Sequence, residues 1–330
     1  MKRALRCLRT GTGLCRLYRS CGRTGFIEVV EESVLKKLWK TVAIMKCRDI
    51  INKLEKRYPK EYAVDWDNVG LLVGDEEKEV GAVFCALDLT DDTLEEALQA
   101  GADLIVTHHP MLFKPVGKIV RQDFIGRRIM ALIENGISYY AMHTNFDIAG
   151  MADRNAKDLG LIEPKVLEPV MRAEMPEPVV RAEIPEPGAD SRADEMEAVP
   201  PAVQGFGRVG RVAGELPLKD FAAKVKSVYG LEQIRVYGDP EKTVRIAAVS
   251  SGSGKSSLED AIRSGADVLI TGDVDYHTAI DAVMKRFAVI DAGHYGTEFC
   301  FIEEASAFLK EEFPDLKVEC AQIRQPFSIF

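Results

Sequence analysis

Histidine is scarce in this sequence, and its positions are those at which α/β folds bind ligands. The 330 residues include 5 histidines, and each lies at or just beyond the carboxyl end of a predicted strand. They are His108, His109, His143, His277 and His294. Structural histidines would be scattered through helices and strands, whereas imidazoles gathered at strand ends can bind zinc, iron, cobalt or nickel. The distribution therefore predicts a metal site.

Two carboxylates lie close to these histidines in the chain. Asp147 follows His143, and its two oxygens could bridge cations ~3.5–4 Å apart, or it could simply cap the next helix. Glu298 follows His294 at i,i+4 spacing, which places both on one helix face as in helical zinc sites; the alternative is an ordinary surface pair. A mononuclear catalytic site needs only about three protein ligands, so the whole set favours a dinuclear centre.

Three other features leave alternatives open. The run Gly252-Ser-Gly-Lys-Ser-Ser257 is not a Walker motif, because Val249 stands where that motif requires glycine. It is either a glycine-rich turn or an amide site for an anion before a helix. Asp67 is expected either to cap a turn or to contact a substrate. The 7 cysteines contain no C-x-x-C pair, so we expect neither a zinc knuckle nor a disulfide framework, and a reducing compartment.

Alternating strands and helices must position these residues. We predict helices over 47–58, 90–101, 121–135 and 218–229, and strands over 82–88, 104–107, 138–142, 244–250 and 289–291. This alternation is typical of an α/β fold with parallel or mixed sheets.

The second half of the chain repeats the first at a constant offset of 164 residues. The text Gly101-Ala-Asp103 matches Gly265-Ala-Asp267, and Thr107 matches Thr271. Two related, pseudo-symmetric halves are therefore predicted, with a site where the carboxyl ends of their strands meet; coincidence between two ordinary strand–helix–strand units is the alternative. The proposed boundaries are 45–163 for the first half and 203–330 for the second.

The remaining segments differ in composition. Residues 1–27 contain seven Lys or Arg and no Asp or Glu, so 1–44 is interpreted as a basic N-terminal extension. It precedes a natural start at Met45 in a cytoplasmic protein, or else acts as a mitochondrial transit peptide. Residues 163–201 hold eight of the 15 prolines, which predicts an acidic, proline-rich linker over 164–202.

The overall charge and hydropathy exclude some partners. The formal net charge is −9, which argues against a broad basic face for duplex nucleic acid. Small anionic substrates remain compatible with this charge, because a bound metal inverts the local sign. No run of about 18 apolar residues exists, so a transmembrane protein is not expected.

Five motifs together resemble one family. They are Asp67-Asn-Val-Gly-Leu71, Thr107-His-His-Pro110, His143-Thr-Asn-Phe-Asp147, Gly265-Ala-Asp-Val-Leu-Ile-Thr-Gly272 and Gly293-His-Tyr-Gly-Thr-Glu298. Residues 45–163 and 203–330 resemble the GTP cyclohydrolase 1 type 2 homologue family, also called NIF-three-like. The resemblance implies two related α/β domains around a dinuclear centre, and ring-shaped homohexamers. Its implied ligands are His108, His109, Asp147, His294 and Glu298.

The basic extension is not part of the family pattern, and the proline-rich segment occupies the place where some bacterial relatives carry an inserted domain. The resemblance implies a metal-dependent hydrolase similar to GTP cyclohydrolase 1 type 2, with metal-activated water as the nucleophile and a nucleotide or another small anionic compound as the substrate. Two divalent ions are expected: zinc, iron, manganese or cobalt. His143 and His277 are candidate catalytic proton shuttles or, alternatively, orient metal ligands. A metal-binding or metal-delivery protein without turnover is the alternative function.

Overall fold

A computed structural model describes residues 45–170, 203–322 and 325–328 in full. Upstream it describes the backbone of three short strands, β1 (Arg6–Arg9), β2 (Leu14–Arg19) and β3 (Phe26–Glu31), which form an antiparallel sheet. The rest of the predicted extension 1–44, and most of the predicted linker, lie outside the described residues.

Strands and helices alternate along the described chain, as the sequence predicts. The further strands are β4 (Met45–Lys46), β5 (Gly70–Val73), β6 (Glu79–Val80), β7 (Ala82–Ala86), β8 (Leu104–Thr107), β9 (Ser138–Ala141), β10 (Ile162–Pro169), β11 (Gly205–Pro217), β12 (Arg235–Tyr237), β13 (Thr243–Ser253), β14 (Val268–Gly272), β15 (Ala288–Asp291) and β16 (Lys317–Cys320). The helices are α1 (Cys47–Arg57), α2 (Asp91–Ala100), α3 (Phe124–Asn135), α4 (Thr144–Phe146), α5 (Ala152–Asp158), α6 (Leu218–Val228), α7 (Leu258–Arg263), α8 (Tyr276–Met284), α9 (His294–Glu298) and α10 (Cys300–Glu312). A 3₁₀ turn spans Lys60–Tyr62, and a π-helical turn spans Asp147–Met151.

Four strands in each of the two mixed sheets share one topology. In the first sheet β7, β8 and β9 are parallel neighbours, and β5 pairs antiparallel with β9. In the second sheet β13, β14 and β15 are parallel neighbours, and β12 pairs antiparallel with β15. The predicted fold class, two related α/β halves with mixed sheets, is confirmed.

The repeat extends to individual hydrogen bonds. Asp103 accepts hydrogen bonds from backbone amides at the start of β7, and Asp267 does the same for amides in β13. Lys78 donates to the carbonyl of Asp103 at 2.9 Å, and Lys242 donates to the carbonyl of Asp267 at 2.8 Å. Lys78 and Lys242 are 164 residues apart, and so are Asp103 and Asp267. The offset in the sequence therefore corresponds to structural equivalence.

Helix α2 shows how the sequence sets its boundaries. The side chain of Thr90 accepts a hydrogen bond from the amide of Thr93 and caps the amino end. Gly101 ends the helix in the left-handed conformation, with φ of 71°, and Gly265 repeats this after α7 with φ of 78°. The predicted helix over 90–101 is confirmed.

At both ends of the second half, a strand belongs to a different sheet from the one that the predicted boundaries give it. Strand β16 pairs with β7 in the first sheet, and α10 buries Phe301 and Leu309 against the core beneath that sheet. Strand β10 pairs with β11, so the second sheet begins at the end of the predicted first half and continues into the segment predicted as a linker. The two halves are therefore held together by exchanged elements as well as by packing.

The described residues contain no helix with the length and hydrophobicity needed to cross a bilayer.

Candidate metal centre

The carboxyl ends of strands from both sheets meet at one place. His108 and His109 directly follow β8, and His143 comes shortly after β9. Asp147 begins the π-helical turn, an irregularity often found at functional sites. From the other half, α9 begins at His294 and ends at Glu298, so both side chains project from one short helix. The predicted convergence of strand ends is therefore present in the structure.

Two groups of three potential ligands share one carboxylate. The first contains His109, His294 and Glu298, and the second contains His108, Asp147 and Glu298; within each, the ligand atoms lie within 4.8 Å of one another. Oε2 of Glu298 is 3.1 Å from Nε2 of His109 and 3.2 Å from Nε2 of His294. Its Oε1 is 3.8 Å from Nε2 of His108. Glu298 therefore occupies the shared position, which the sequence had suggested for Asp147.

The outer ring nitrogens of three histidines are fixed by acceptors. Nδ1 of His108 lies 2.9 Å from the carbonyl of Met142, and Nδ1 of His109 lies 2.9 Å from Asp88. Nδ1 of His294 lies 2.8 Å from Asp273. Carbonyls and carboxylates can only accept, so each Nδ1 donates and each neutral ring directs the lone pair of Nε2 inwards. This arrangement is characteristic of histidines that bind metals.

Several inward atoms lack partners. Among the described residues, Nε2 of His108, Oδ1 of Asp147 and Oε2 of Glu298 are buried and make no hydrogen bond while the histidine rings are neutral; only a protonated Nε2 of His109 or His294 can donate to Glu298. Nε2 of His108 faces Oδ1 of Asp147 at 3.5 Å. A buried polar group without a partner typically costs about 1–3 kcal/mol, and more when it is charged. Divalent cations would satisfy all three atoms, so these residues fit the metals that the sequence predicts.

The cluster also binds protons strongly. Burial disfavours the charged form of His109, but hydrogen bonds to Asp88 and Glu298 raise its pKa to about 10. The hydrogen bond to Glu298 raises the pKa of His294 to about 9. Burial raises the pKa of Asp147, whereas for Glu298 the surrounding imidazoles outweigh burial and hold its pKa well below the ordinary value. Protons and cations therefore compete for the same atoms.

Gly252 gives the Glu298 carboxylate the space it occupies. A Cβ atom at this position would overlap Oε1 of Glu298 and approach Nε2 of His294 at 3.3 Å. The amide of Gly252 donates to Thr297 at 2.9 Å and that of Gly254 to Thr271 at 2.8 Å. Both amides already have acceptors, which favours the glycine-rich turn over an anion site.

We expect Gly252→Ala to reduce the metal content to well below that of the wild type, because the added methyl displaces the Glu298 carboxylate. Elemental analysis after dialysis measures this effect. Gly265→Ala is the matched control, since Gly265 also has positive φ but no heavy atom lies within 4 Å of the position that a Cβ would take there. It should cost about 1–2 kcal/mol of stability through backbone strain and leave the metal content unchanged. Equal metal contents in the two variants would contradict the steric argument.

His143 belongs to neither group that contains Glu298, but it forms a third group of three potential ligands with His108 and His109. Its ring is 5.2 Å from that of His108 and 5.6 Å from that of His109, measured between centroids. Nδ1 of His143 is 2.9 Å from Oδ1 of Asp67, while Oδ2 of Asp67 accepts hydrogen bonds from the amide and hydroxyl of Thr144. These bonds outweigh burial and lower the pKa of Asp67 to about 2. Asp67 therefore orients His143 in addition to bonding within its own turn.

His277 lies apart from this cluster. It is the exposed second residue of α8, whose amino end is capped by Asp275, and its ring contacts Tyr276. The described residues place it in none of the potential ligand groups. The structure therefore gives no support to a proton shuttle at His277.

Sequence reasoning missed the residues that orient the ligands. Asp88 follows β7 and Asp273 follows β14, so the same strand-end rule that identified the histidines could have found them. The carbonyl of Met142 carries no signal in the sequence, because any residue would supply it.

Comparisons with known proteins show which proteins this chain resembles. Residues 45–326 match the family model described as Duf34/NIF3 (NGG1p interacting factor 3). A GTP cyclohydrolase 1 type 2 homolog of Clostridium acetobutylicum is 35% identical over 257 residues, covering 77% of this chain and 86% of the relative. A homolog of the same description from Clostridium perfringens is 34% identical, and the match covers 86% of this chain and 99% of the relative. The crystal structure of a Bacillus cereus protein related to NIF3 superposes with a TM-score of 0.75 at 26% identity, covering 87% of this chain and 99% of that one.

Proposed function

The chain belongs to the Duf34/NIF3 family, and from that membership and its donor set we propose that it is a metal-dependent hydrolase with a dinuclear centre. The proposed substrate is a nucleotide or another small anionic compound. The observation that carries the proposal is the position of Glu298, which is buried and common to two groups of three ligands. Three protein ligands leave room for water at a catalytic metal ion.

The proposed ligands divide into two sets that share Glu298. His109 and His294 would hold one ion, and His108 and Asp147 the other. Bound divalent cations would acidify a water molecule and polarise an electrophilic oxygen of the substrate. The acceptors at each Nδ1 keep the imidazoles in the tautomer that binds a cation.

His143 is the proposed general acid–base residue. Its Nδ1 donates to Asp67, which leaves Nε2 to accept a proton from the attacking water and return it to the leaving group. A ring nitrogen of His143 lies within 4.8 Å of ring nitrogens of His108 and His109, so the proton would move over a short path.

Elemental analysis of the purified protein, followed by a screen of nucleotides and phosphoesters with the metal-loaded form, tests the proposal. We expect two ions per chain and at least one hydrolysed substrate. Two firmly held ions without any turnover would favour the metal-binding or metal-delivery alternative. The homohexamer proposed from the family resemblance is tested separately by light scattering.

Metal binding should release protons at pH 7. Without metal the pKa of His109 is about 10 and that of His294 about 9, so at least one proton must leave this pair when a cation binds. The apparent affinity should then rise by about tenfold per pH unit for each proton released. Calorimetric titration in two buffers of different ionisation enthalpy measures the number of protons released when the metal binds. An affinity independent of pH between 6 and 8 would contradict the ligand assignment.

A further inference from the structure

Two exposed aromatic side chains lie next to the proposed acid–base residue. Trp66 is 62% exposed and Phe113 is 49% exposed, and their ring centroids are 5.8 Å apart. Each also contacts His143, at centroid distances of 6.1 Å and 6.3 Å. The two rings therefore form one apolar surface beside a polar centre. We call Trp66 and Phe113 the aromatic platform.

The platform is held in place on both sides of Trp66. On one side, the hydrogen bonds of Asp67 to His143 and Thr144 fix the turn. On the other side, Nδ2 of Asn68 donates to the carbonyl of Leu112 at 2.5 Å, which ties this turn to the loop that carries Phe113. The platform is therefore preorganised for binding rather than assembled by the ligand.

Two lysines with no ionic partner lie on the same loop. Residues 110–123 form no regular element, and a long irregular loop in a compact domain is often functional. Lys114 and Lys118 are exposed, and within the described residues they make no hydrogen bond or ion pair. Both line, with Phe113, a pocket of about 760 Å³; the one carboxylate in its lining, Asp123, caps α3 by accepting from the amide of Gly126. In a chain of net charge −9 they supply a local site for an anionic group.

We propose that the aromatic platform stacks a planar heteroaromatic ring of the substrate and that Lys114 and Lys118 bind an anionic group attached to that ring. The inference rests on the proposed function and specifies its substrate class: a mononucleotide or a compound of the same shape and charge. Base–aromatic stacking is sequence-tolerant, so the platform selects for a ring and not for one base. His143 contacts both platform residues, which brings a stacked ligand within reach of the proposed proton carrier.

Tryptophan fluorescence reports on the platform directly. The chain has two tryptophans, so Trp39→Phe leaves Trp66 as the sole indole. Metal-loaded protein with this substitution is titrated with adenosine 5′-monophosphate, adenosine and ribose 5-phosphate. We expect strong quenching by the nucleotide, saturable but about tenfold weaker binding of adenosine, and no quenching by ribose 5-phosphate. The last probe controls for phosphate bound at the metals alone.

Substitutions separate the two parts of the proposed site. Trp66→Ala should weaken nucleotide binding, measured by calorimetry, by about tenfold or more, whereas Trp66→Phe should retain most of it. The double variant Lys114→Ala/Lys118→Ala should weaken the nucleotide but leave adenosine unchanged. Tyr276→Ala and Lys56→Ala are matched controls, because both residues are exposed and belong to neither the platform nor a potential ligand group, and neither should change binding.

The inference is overturned if none of the probes alters Trp66 fluorescence at millimolar concentration, or if Trp66→Ala binds the nucleotide as the wild type does. It is also overturned if Trp66→Ala changes only the oligomeric state, since the platform would then be a contact between copies. These failures differ from failure of the proposed function. A wild type that hydrolyses a substrate with kcat/KM unaffected by Trp66→Ala would reject the platform alone. Nucleotide binding at Trp66 without turnover would reject the hydrolase alone.

Discussion

Glu298→Gln is expected to abolish tight binding of both metal ions, which no other single substitution among the five proposed ligands should do. Glutamine keeps the shape of the side chain and removes its charge, and Glu298 is the one carboxylate shared by two of the three potential ligand groups. The loss of affinity should exceed the ~10–100-fold cost typical of replacing an outer-shell partner. Elemental analysis after dialysis and calorimetric titration both measure it.

Three variants serve as comparisons for Glu298→Gln. His109→Ala and Asp147→Asn should each lose one ion and keep the other, because each belongs to only one of the groups that contain Glu298. Glu304→Gln should keep both ions, since this half-buried carboxylate bonds to Tyr58 at 3.1 Å and touches no proposed ligand. Circular dichroism of the metal-free proteins checks that the fold is intact. Retention of one firmly bound ion by Glu298→Gln would show that Glu298 is not shared.

The internal repeat explains why ligands come from both halves while the site itself is not symmetric. Position 109 in the first half corresponds to 273 in the second at the offset of 164. His109 is a proposed ligand, whereas Asp273 orients the ligand His294 through its Nδ1. One structural position thus supplies a metal-binding group in one half and a supporting group in the other.

A second pair of equivalent positions divides its roles in the same way. Asp88 corresponds to Gly252. Asp88 holds Nδ1 of His109, whereas Gly252 has no side chain and leaves space for Glu298. A carboxylate at position 252 would fill the volume that Glu298 occupies. The two halves have therefore diverged in a complementary manner around a single centre.

The sequence predicted that these side chains lie together, because strand-end geometry is local. His108 and His294 follow strands whose apolar runs are plain in the sequence, and parallel strands bring their carboxyl ends to one edge. The i,i+4 spacing of His294 and Glu298 required only that a helix start at His294, as it does. His277 also follows a predicted strand, but it is the second residue of α8 and is exposed to solvent. Only the cap at Asp275 distinguishes it in the sequence from the clustered histidines.

The exchange of elements between the halves could not be predicted in this way. The apolar pattern of α10 shows which face is buried, but not which of two sheets covers that face. Strand β16 is short and mostly exposed, and its pairing with β7 depends on where α10 leaves it. Partner choice of an edge strand is set by tertiary packing and not by local propensity.

His143→Ala should keep both metal ions and lose about 10²–10⁴-fold in kcat, the range typical of removing a general acid–base group. The reason is that His143 contacts the rings of His108 and His109 but belongs to neither group that contains Glu298. Metal content and hydrolysis of the best substrate from the screen are measured in parallel. His277→Ala is the matched control, because His277 is exposed and lies outside the ligand groups. Loss of an ion in His143→Ala would make His143 a ligand instead.

Asp67→Asn tests whether the orientation of His143 matters as well as its presence. Asp67 accepts from the ring of His143 and also from the amide and hydroxyl of Thr144. An amide group has one accepting oxygen, so asparagine cannot satisfy His143 and the Thr144 amide together. We expect both metal ions to remain, kcat to fall less than in His143→Ala, and stability to fall by about 1–3 kcal/mol for the unsatisfied buried group. The double variant Asp67→Asn/His143→Ala should be no slower than His143→Ala alone, because Asp67 would act only through the imidazole of His143. Additive losses of rate in the double variant would instead give Asp67 a separate part in the reaction.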